Sequence, residues 1–312
     1  MTNSVTQGLS KKTYEKTFAI LMLAFAVLIS AFLSPIINGF VKDGVSLCFE
    51  AIIGSLFPFM ILSDAVAMAR FESITFLRTF FEKIFKINGN AISAFIMGII
   101  CGFPIGVKVS VDLYKRGHRP RDECERLISF SNNTGPAFVI AGIGCALRGS
   151  LSDGIILYVS MLISAIITGY ISGIGKVASK WRPTDSERFF SFTESIKKAT
   201  QNTLSVCGFV ITFSVICGLI SILVSNNLLH IILLPLIEVS NAAKQISASS
   251  FLPNSASLSL SSFAISFSGL SVHMQAKCFI SECNLSMKRY WFYKLLQGII
   301  SATLTAITVV FI

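Results

Sequence analysis

Ile128-Ser129-Phe130-Ser131-Asn132-Asn133-Thr134-Gly135-Pro136 interrupts an apolar run that extends from Leu127 to Leu147. About 20 apolar residues span a bilayer. In hydrocarbon a freed amide or carbonyl finds no water, so a break at that depth is tolerated only against protein or an aqueous cavity. The stretch therefore predicts a discontinuous transmembrane helix. Its opening recurs 137 residues later as Ile265-Ser266-Phe267-Ser268, inside a second long apolar run.

The flanking sequence is of the same kind. The chain has 312 residues, 53% of them hydrophobic and 13% charged, with a mean hydropathy of +0.72. An ordinary soluble domain is about 25% charged, so a soluble globular protein is excluded. Seven runs read as spans: Phe18–Ile37, Leu47–Met68, Leu127–Leu147, Ile155–Gly175, Thr203–Val224, Leu258–Phe279 and Trp291–Val310. Ala91–Val107 and Leu228–Ala243 are shorter and are interrupted by Gly102-Phe103-Pro104-Ile105-Gly106 and by Pro235-Leu236-Ile237-Glu238. Such segments read as re-entrant hairpins rather than crossings. Lys11, Lys12 and Lys16 precede the first run as they would in a signal peptide, but the run is too long for one, and a retained span is expected.

Charge distribution supports that division. If both hairpins return to the side they entered, the N-terminus and residues 70–89, 108–126, 176–200 and 277–294 share one face. They hold 23 of the 26 lysines and arginines, leaving Lys42, Arg148 and Lys244 for the other side. Excess Lys and Arg marks the cytoplasmic face, so the N-terminus is expected inside and the C-terminus outside. The same rule accounts for the net charge of +10 without nucleic acid as a partner.

The expected fold is an all-α polytopic membrane protein, an inverted-repeat, transporter-like arrangement of about seven transmembrane helices plus two re-entrant helical hairpins. Residues 1–45 would carry a first helix outside the repeat. A first repeat over 46–180 would contain the hairpin 91–107 and the broken helix 127–147. A second over 181–312 would contain the hairpin 228–243 and the broken helix 258–279.

Four segments could meet a solute. The first hairpin contributes Gly102, Pro104, Gly106 and Lys108; Gly98, Gly102 and Gly106 also fit plain small-residue helix packing. The broken span contributes Asn132, Asn133 and Thr134, whose amides both donate and accept. Read as a glycosylation sequon, these three would lie too deep in the membrane for that chemistry. The second hairpin contributes Glu238, Ser240 and Asn241. An intramembrane acid is a functional candidate, although a plain ion pair with Lys244 explains it equally. The fourth segment contributes Ser268, Gly269, Ser271, His273 and Gln275, within a stretch holding eleven serines between Ser247 and Ser271. His273 fits either a titrating group or a packing residue. Asp64 and Glu50 could hold a coupling ion or be solvated at a span's ends.

No GxSxG, HExxH or P-loop pattern occurs, and no two of the eight cysteines form a CxxC pair, so neither a catalytic constellation nor a metal site is expected. The cysteines read as small core residues. No cofactor is expected; coupling to a proton or a sodium ion is left open, as is a homo-oligomer. The expected partners are the lipid bilayer and a small-molecule solute.

The stretches Gly102-Phe103-Pro104-Ile105-Gly106-Val107-Lys108, Asp112-Leu113-Tyr114-Lys115-Arg116-Gly117, Glu125-Arg126-Leu127, Phe130 to Pro136 and Ser268 to Gln275 resemble those of the sporulation integral membrane protein YlbJ family. That family belongs with the nucleoside-recognition or gate-domain proteins, distantly similar to concentrative nucleoside transporters. The resemblance implies a mother-cell or outer forespore membrane protein of an endospore-forming bacterium, associated with moving dipicolinic acid toward the forespore. It also implies Lys108, Asn132, Asn133, Glu238, Ser268 and His273 around the solute. Nucleoside transporters carry Gln and Glu in the first hairpin where this chain has Gly-Phe-Pro, which favours dipicolinate over a nucleoside. A membrane scaffold that recruits partners through its basic loops is the remaining alternative.

Overall fold

The computed structural model describes residue 20 and residues 34–68, 75–115, 117, 120–179 and 191–311. Most of the expected first span, the N-terminal lysines and the basic segment 180–190 lie outside these residues. Among the described residues there is no strand. The helices are α1 (Ser34–Leu47), α2 (Ile53–Met68), α3 (Thr75–Phe85), α4 (Ile92–Ile100), α5 (Ile105–Lys115), α6 (Arg121–Ser131), α7 (Leu151–Ser172), α8 (Phe192–Leu223), α9 (Asn227–Ile237), α10 (Val239–Ala248), α11 (Asn254–Phe267), α12 (Gly269–Ser281) and α13 (Met287–Phe311). A π-helical turn, Cys48–Ile52, joins α1 to α2, and a π-helical segment, Ala137–Leu147, follows α6.

Four apolar helical units among the described residues are long enough to cross a bilayer: Leu151–Ser172, Phe192–Leu223, Met287–Phe311, and Asn254–Ser281 taken across its break. A fifth candidate, Phe76–Phe85 with Gly89–Ile100, is bent by 98°. The chain is an all-α, multi-pass membrane protein, and its helices are patterned for lipid. On α7, Ile155, Val159, Ile163, Ile166 and Tyr170 are exposed while Ser160, Ser164, Thr168 and Ser172 are buried. Lipid gives no reward for burying leucine, so small and polar residues mediate helix contacts instead.

The span expected over 127–147 is two half-length pieces. At 1.5 Å per residue the 11 residues of α6 reach about 16 Å, half of a bilayer's hydrocarbon. Asn132 leaves helical geometry at φ −91° and ψ 87°, and Asn133 Nδ2 donates back to the Phe130 carbonyl at 2.8 Å, the local competition with helix that Asn favours. The span expected over 258–279 breaks between α11 and α12, where Ser268 takes φ +75°. Helix ends fall in step at the repeat spacing: Ile100 and Ile237 each close a helix, and α7 shifted by 137 residues overlays α13.

One expected break is absent. Residues 38–46, expected as the loop between the first two spans, are helical and continue through the π turn into α2. Gly44 lies against α8 so closely that a Cβ would sit 2.8 Å from Ile211 Cα. Tertiary packing accounts for that glycine.

The polar end of α6 fastens one end of the molecule. Glu123 accepts from the Asn88 and Ser179 amides at 3.1 and 2.6 Å, and Glu125 from the Ser286 amide at 2.9 Å. Asp122 meets Arg126, Arg289 and Lys176. Partial burial pushes the Asp122 carboxyl up, but the Arg289 hydrogen bond and the surrounding cations outweigh it and hold the group below the ordinary carboxylate range.

Candidate functional site

The breaks are packed on one another. Gly102, at φ +81°, takes a conformation that L side chains rarely adopt. A Cβ there would lie 2.8 Å from the Gly135 amide nitrogen, so the turn between α4 and α5 rests on the break after α6. Gly98 and Gly106 face each other across the hairpin and leave room only for the Ser131 carbonyl, which ends α6. The second half repeats the contact: a Cβ on Gly269 would lie 3.0 Å from the Ile237 carbonyl carbon, setting the α11–α12 break on the α9–α10 break. Thr134 Oγ1 joins the halves by donating to the Ile265 carbonyl at 2.7 Å.

A cavity of 380 Å³ opens where these segments meet. Cys101, Gly102 and Phe103 enter from the first hairpin, Thr134 and Gly135 from the break after α6, Phe138 from the π segment, Glu238 and Ser240 from the second hairpin, and Val272 and Gln275 from α12. Leu56 and Phe59 of α2 and Val206 and Val210 of α8 complete the wall. It is an aromatic and aliphatic chamber with a few polar groups drawn from interrupted backbone, the usual make-up of a small-molecule site. Among the described residues, Glu238 is the only acidic or basic side chain lining it.

Of the residues singled out in the sequence, Gly102, Thr134, Glu238, Ser240 and Gln275 line this cavity. Glu238 caps α10: its carboxylate accepts from the Ser240 amide at 3.0 Å and from the amide and Nδ2 of Asn241 at 2.7 and 2.9 Å. These donors, and not Lys244, satisfy it. Pro104 opens α5, its carbonyl accepting from the Lys108 amide at 3.0 Å. Gly106 closes the hairpin against α6. Lys108 lies away from the chamber, its ammonium bonded to Asp64, to Ser63 at 3.0 Å and to Asp112 at 3.1 Å.

Asn132, Asn133, Ser268, Gly269, Ser271 and His273 are buried behind the chamber wall. Asn132 Nδ2 donates to Tyr290 Oη at 2.6 Å, and Asn133 Oδ1 accepts from Gln297 Nε2 at 2.8 Å. Ser268 donates to the Ile265 carbonyl at 3.2 Å, and Gln275 Nε2 reaches Ser271 at 3.5 Å. His273 Nε2 lies 2.9 Å from the Phe267 carbonyl, its ring packed on Phe267, Tyr290 and Trp291.

Sequence reading missed Lys294. It is fully buried on α13, donating at 2.8 Å to the Asn132 carbonyl and at 2.8 Å to Gln297 Oε1. The signal was present: Lys294, Gln297, Ser301 and Thr305 recur at helical spacing within the last apolar run, in step with Tyr290 just before it. Among the described residues, no group of three or more His, Cys, Asp or Glu is placed to hold a metal ion.

No family model matches the chain, and no solved structure matches it. It is 27% identical to the sporulation integral membrane protein YlbJ of Bacillus subtilis (strain 168), over an alignment of 305 residues that covers 84% of this chain and 74% of the relative. The chain is thus a homologue of a sporulation integral membrane protein, in line with the resemblance of its motifs.

Proposed function

We propose that the protein is a transporter, rather than an enzyme, for a small polar or anionic aromatic solute, with dipicolinate first among the candidates through the YlbJ resemblance. The observation that carries this reading is the convergence of three backbone breaks on one 380 Å³ chamber. Such breaks are tolerated in a membrane only against protein or a cavity, three of these border the chamber, and discontinuous helices meeting at a solute are the device of secondary transporters. Phe59, Phe103 and Phe138 offer faces for a ring. α5 and the π segment begin at breaks beside the chamber, so their positive N-terminal ends suit a carboxylate. The mother-cell or outer forespore membrane, with the basic end of the molecule in the cytoplasm, is the location that accompanies this reading.

A nucleoside is the second reading, favoured by Glu238, which would accept from ribose hydroxyls or base amines in a chamber that holds no cationic side chain. Uptake of labelled dipicolinate and labelled uridine by the purified protein in liposomes decides. Dipicolinate uptake above that of protein-free vesicles is the expected result, and uridine uptake alone selects the second reading. Uptake of neither solute, with no binding of either in detergent, leaves a membrane scaffold.

A further inference from the structure

Lys294 stands out among the buried cations. Its side chain has no access to solvent, its acceptors are the neutral Asn132 carbonyl and Gln297 amide, and among the described residues it enters no ion pair. Lys108 and Arg126, the deeply buried cations of the first half among the described residues, each reach a carboxylate. An unpaired ammonium in a low-dielectric interior is expensive and is eased by releasing its proton.

The elements packed on α13 supply no counter-charge. α11 carries no ionisable side chain. On α7, Asp153 is bonded to Arg148, and Tyr158 donates to the Ile99 carbonyl. On α6, Asp122 and Glu125 are engaged by Arg126, Arg289, Lys176 and Arg121 at its polar end, where Glu123 accepts from the Asn88 and Ser179 amides. α12 presents His273, whose ring lies 5.2 Å from that of Tyr290.

From Lys294 a polar seam continues along the same face of α13. Gln297, Ser301 and Thr305 are all fully buried, and from Lys294 to Thr305 the rise is about 16 Å. Ser262 Oγ lies 2.7 Å from both Ser301 and Thr305 hydroxyls. Ser261 and Ser266 of α11 and Thr168 of α7, on helices packed against α13, are further buried hydroxyls without partners among the described residues. Hydroxyls donate and accept interchangeably, as a proton path requires. At its other end Lys294 holds the carbonyl of Asn132, next to the break whose Thr134 and Gly135 line the chamber.

We propose that Lys294 is the proton-coupling residue of the transport cycle, exchanging its proton along the hydroxyl seam between α11 and α13. The ammonium releases one proton toward one side of the membrane and becomes a neutral amine, and the amine regains one from the other side. Each transfer offsets one negative charge of an anionic solute that enters a chamber with no cationic side chain. Because an ammonium binds the Asn132 carbonyl more strongly than an amine does, proton occupancy also biases the geometry of the break. This inference rests on the transport reading.

The test separates coupling from transport by using the purified full chain in liposomes loaded with a pH-sensitive dye and the solute that the uptake experiment identifies. Exchange of labelled for unlabelled solute needs no net proton movement, whereas accumulation does. With one proton per solute, a one-unit pH gradient sustains about a tenfold accumulation in wild type. Lys294→Met and the permanently charged Lys294→Arg are expected to lose that accumulation while exchange, though slowed by the altered break, stays measurable, and Ser262→Ala to slow the dye signal while exchange persists. A Lys294→Met protein that accumulates solute as wild type does overturns the proposal. Should neither variant insert, the wild-type dye signal decides: solute entry without proton movement overturns the proposal, and solute-linked proton entry upholds the coupling. Absence of exchange in wild type removes the transport reading itself.

Discussion

At the scale of the residue, Lys108 shows how environment decides role. Its place directly after a hairpin turn predicts a partner for a solute carboxylate, yet its ammonium is shared by Asp64, Asp112 and Ser63. Removing one member of a buried ion pair leaves an uncompensated charge and costs about 3 to 5 kcal/mol. Lys108→Met should therefore lower the melting temperature in detergent sharply, and Asp64→Asn in the same chain should recover much of the loss. A stable Lys108→Met protein with transport abolished would return the lysine to the solute. Asn133 is a milder case. An intramembrane hydrogen bond is worth about 0.6 to 2 kcal/mol, so Asn133→Ala, which frees Gln297, should lower the unfolding free energy in a denaturant titration by about that amount and leave insertion intact. The asparagines were legible because polar residues stand out in an apolar run. Their partners Tyr290 and Gln297, 158 and 164 positions away in the chain, were not, because only tertiary packing sets that register.

At the scale of the element, the breaks explain why this chain needs glycine where it has it. Gly102 and Gly149 both take positive φ, at 81° and 67°, but only Gly102 is also pressed against another backbone, at Gly135. Replacing either by alanine costs about 1 to 2 kcal/mol for the left-handed backbone. Gly102→Ala must in addition move the break after α6. Thermal unfolding of the two variants should show the larger loss for Gly102→Ala, accompanied by weakened solute binding. Equal losses, with binding unchanged in both, would mean that the two breaks move independently. The existence of all four breaks was readable from Pro, Gly and Asn within apolar runs, whereas the continuous helix over 34–68 was not, because a packing glycine and a turn glycine look alike in sequence. The fastening at Asp122 carries its own pH signature. Its depressed carboxyl contributes stability that is fully present above the unfolded carboxylate pKa and is lost as pH falls through the lower folded value. The difference in stability between wild type and Asp122→Asn should hold through neutral pH and shrink only at acid pH, as melting curves across that range will show.

At the scale of the whole molecule, the charge count and the coordinates bear on topology independently. The count groups 70–89, 108–126, 176–200 and 277–294 on one face because they hold most of the basic residues. In the structure the described parts of those segments meet. Arg126 donates to the Phe85 and Lys86 carbonyls, Asn88 to that of Ser179, and Arg121 to that of Asn284; Lys115 pairs with Glu282, and Lys176 and Arg289 with Asp122. Arg148, one of the three basic residues assigned to the other face, instead bonds Asp153, Ser257 and Asn254. The hairpin α4–α5 thus returns its basic end to the side from which α3 enters, since a full crossing would have separated residues 86–88 from 115–126 by the thickness of the membrane. The excess of basic residues predicts the cytoplasmic side for this end of the molecule. In a background lacking the eight native cysteines, single cysteines at Ser150 and Asn227 should react with an impermeant thiol reagent added outside intact cells. Cysteines at Gly117 and Met287 should react only after the cells are opened. Labelling of position 117 from outside would mean that the first hairpin crosses the membrane, and the opposed pair of breaks on which the chamber is built would then be neither inverted nor a pair.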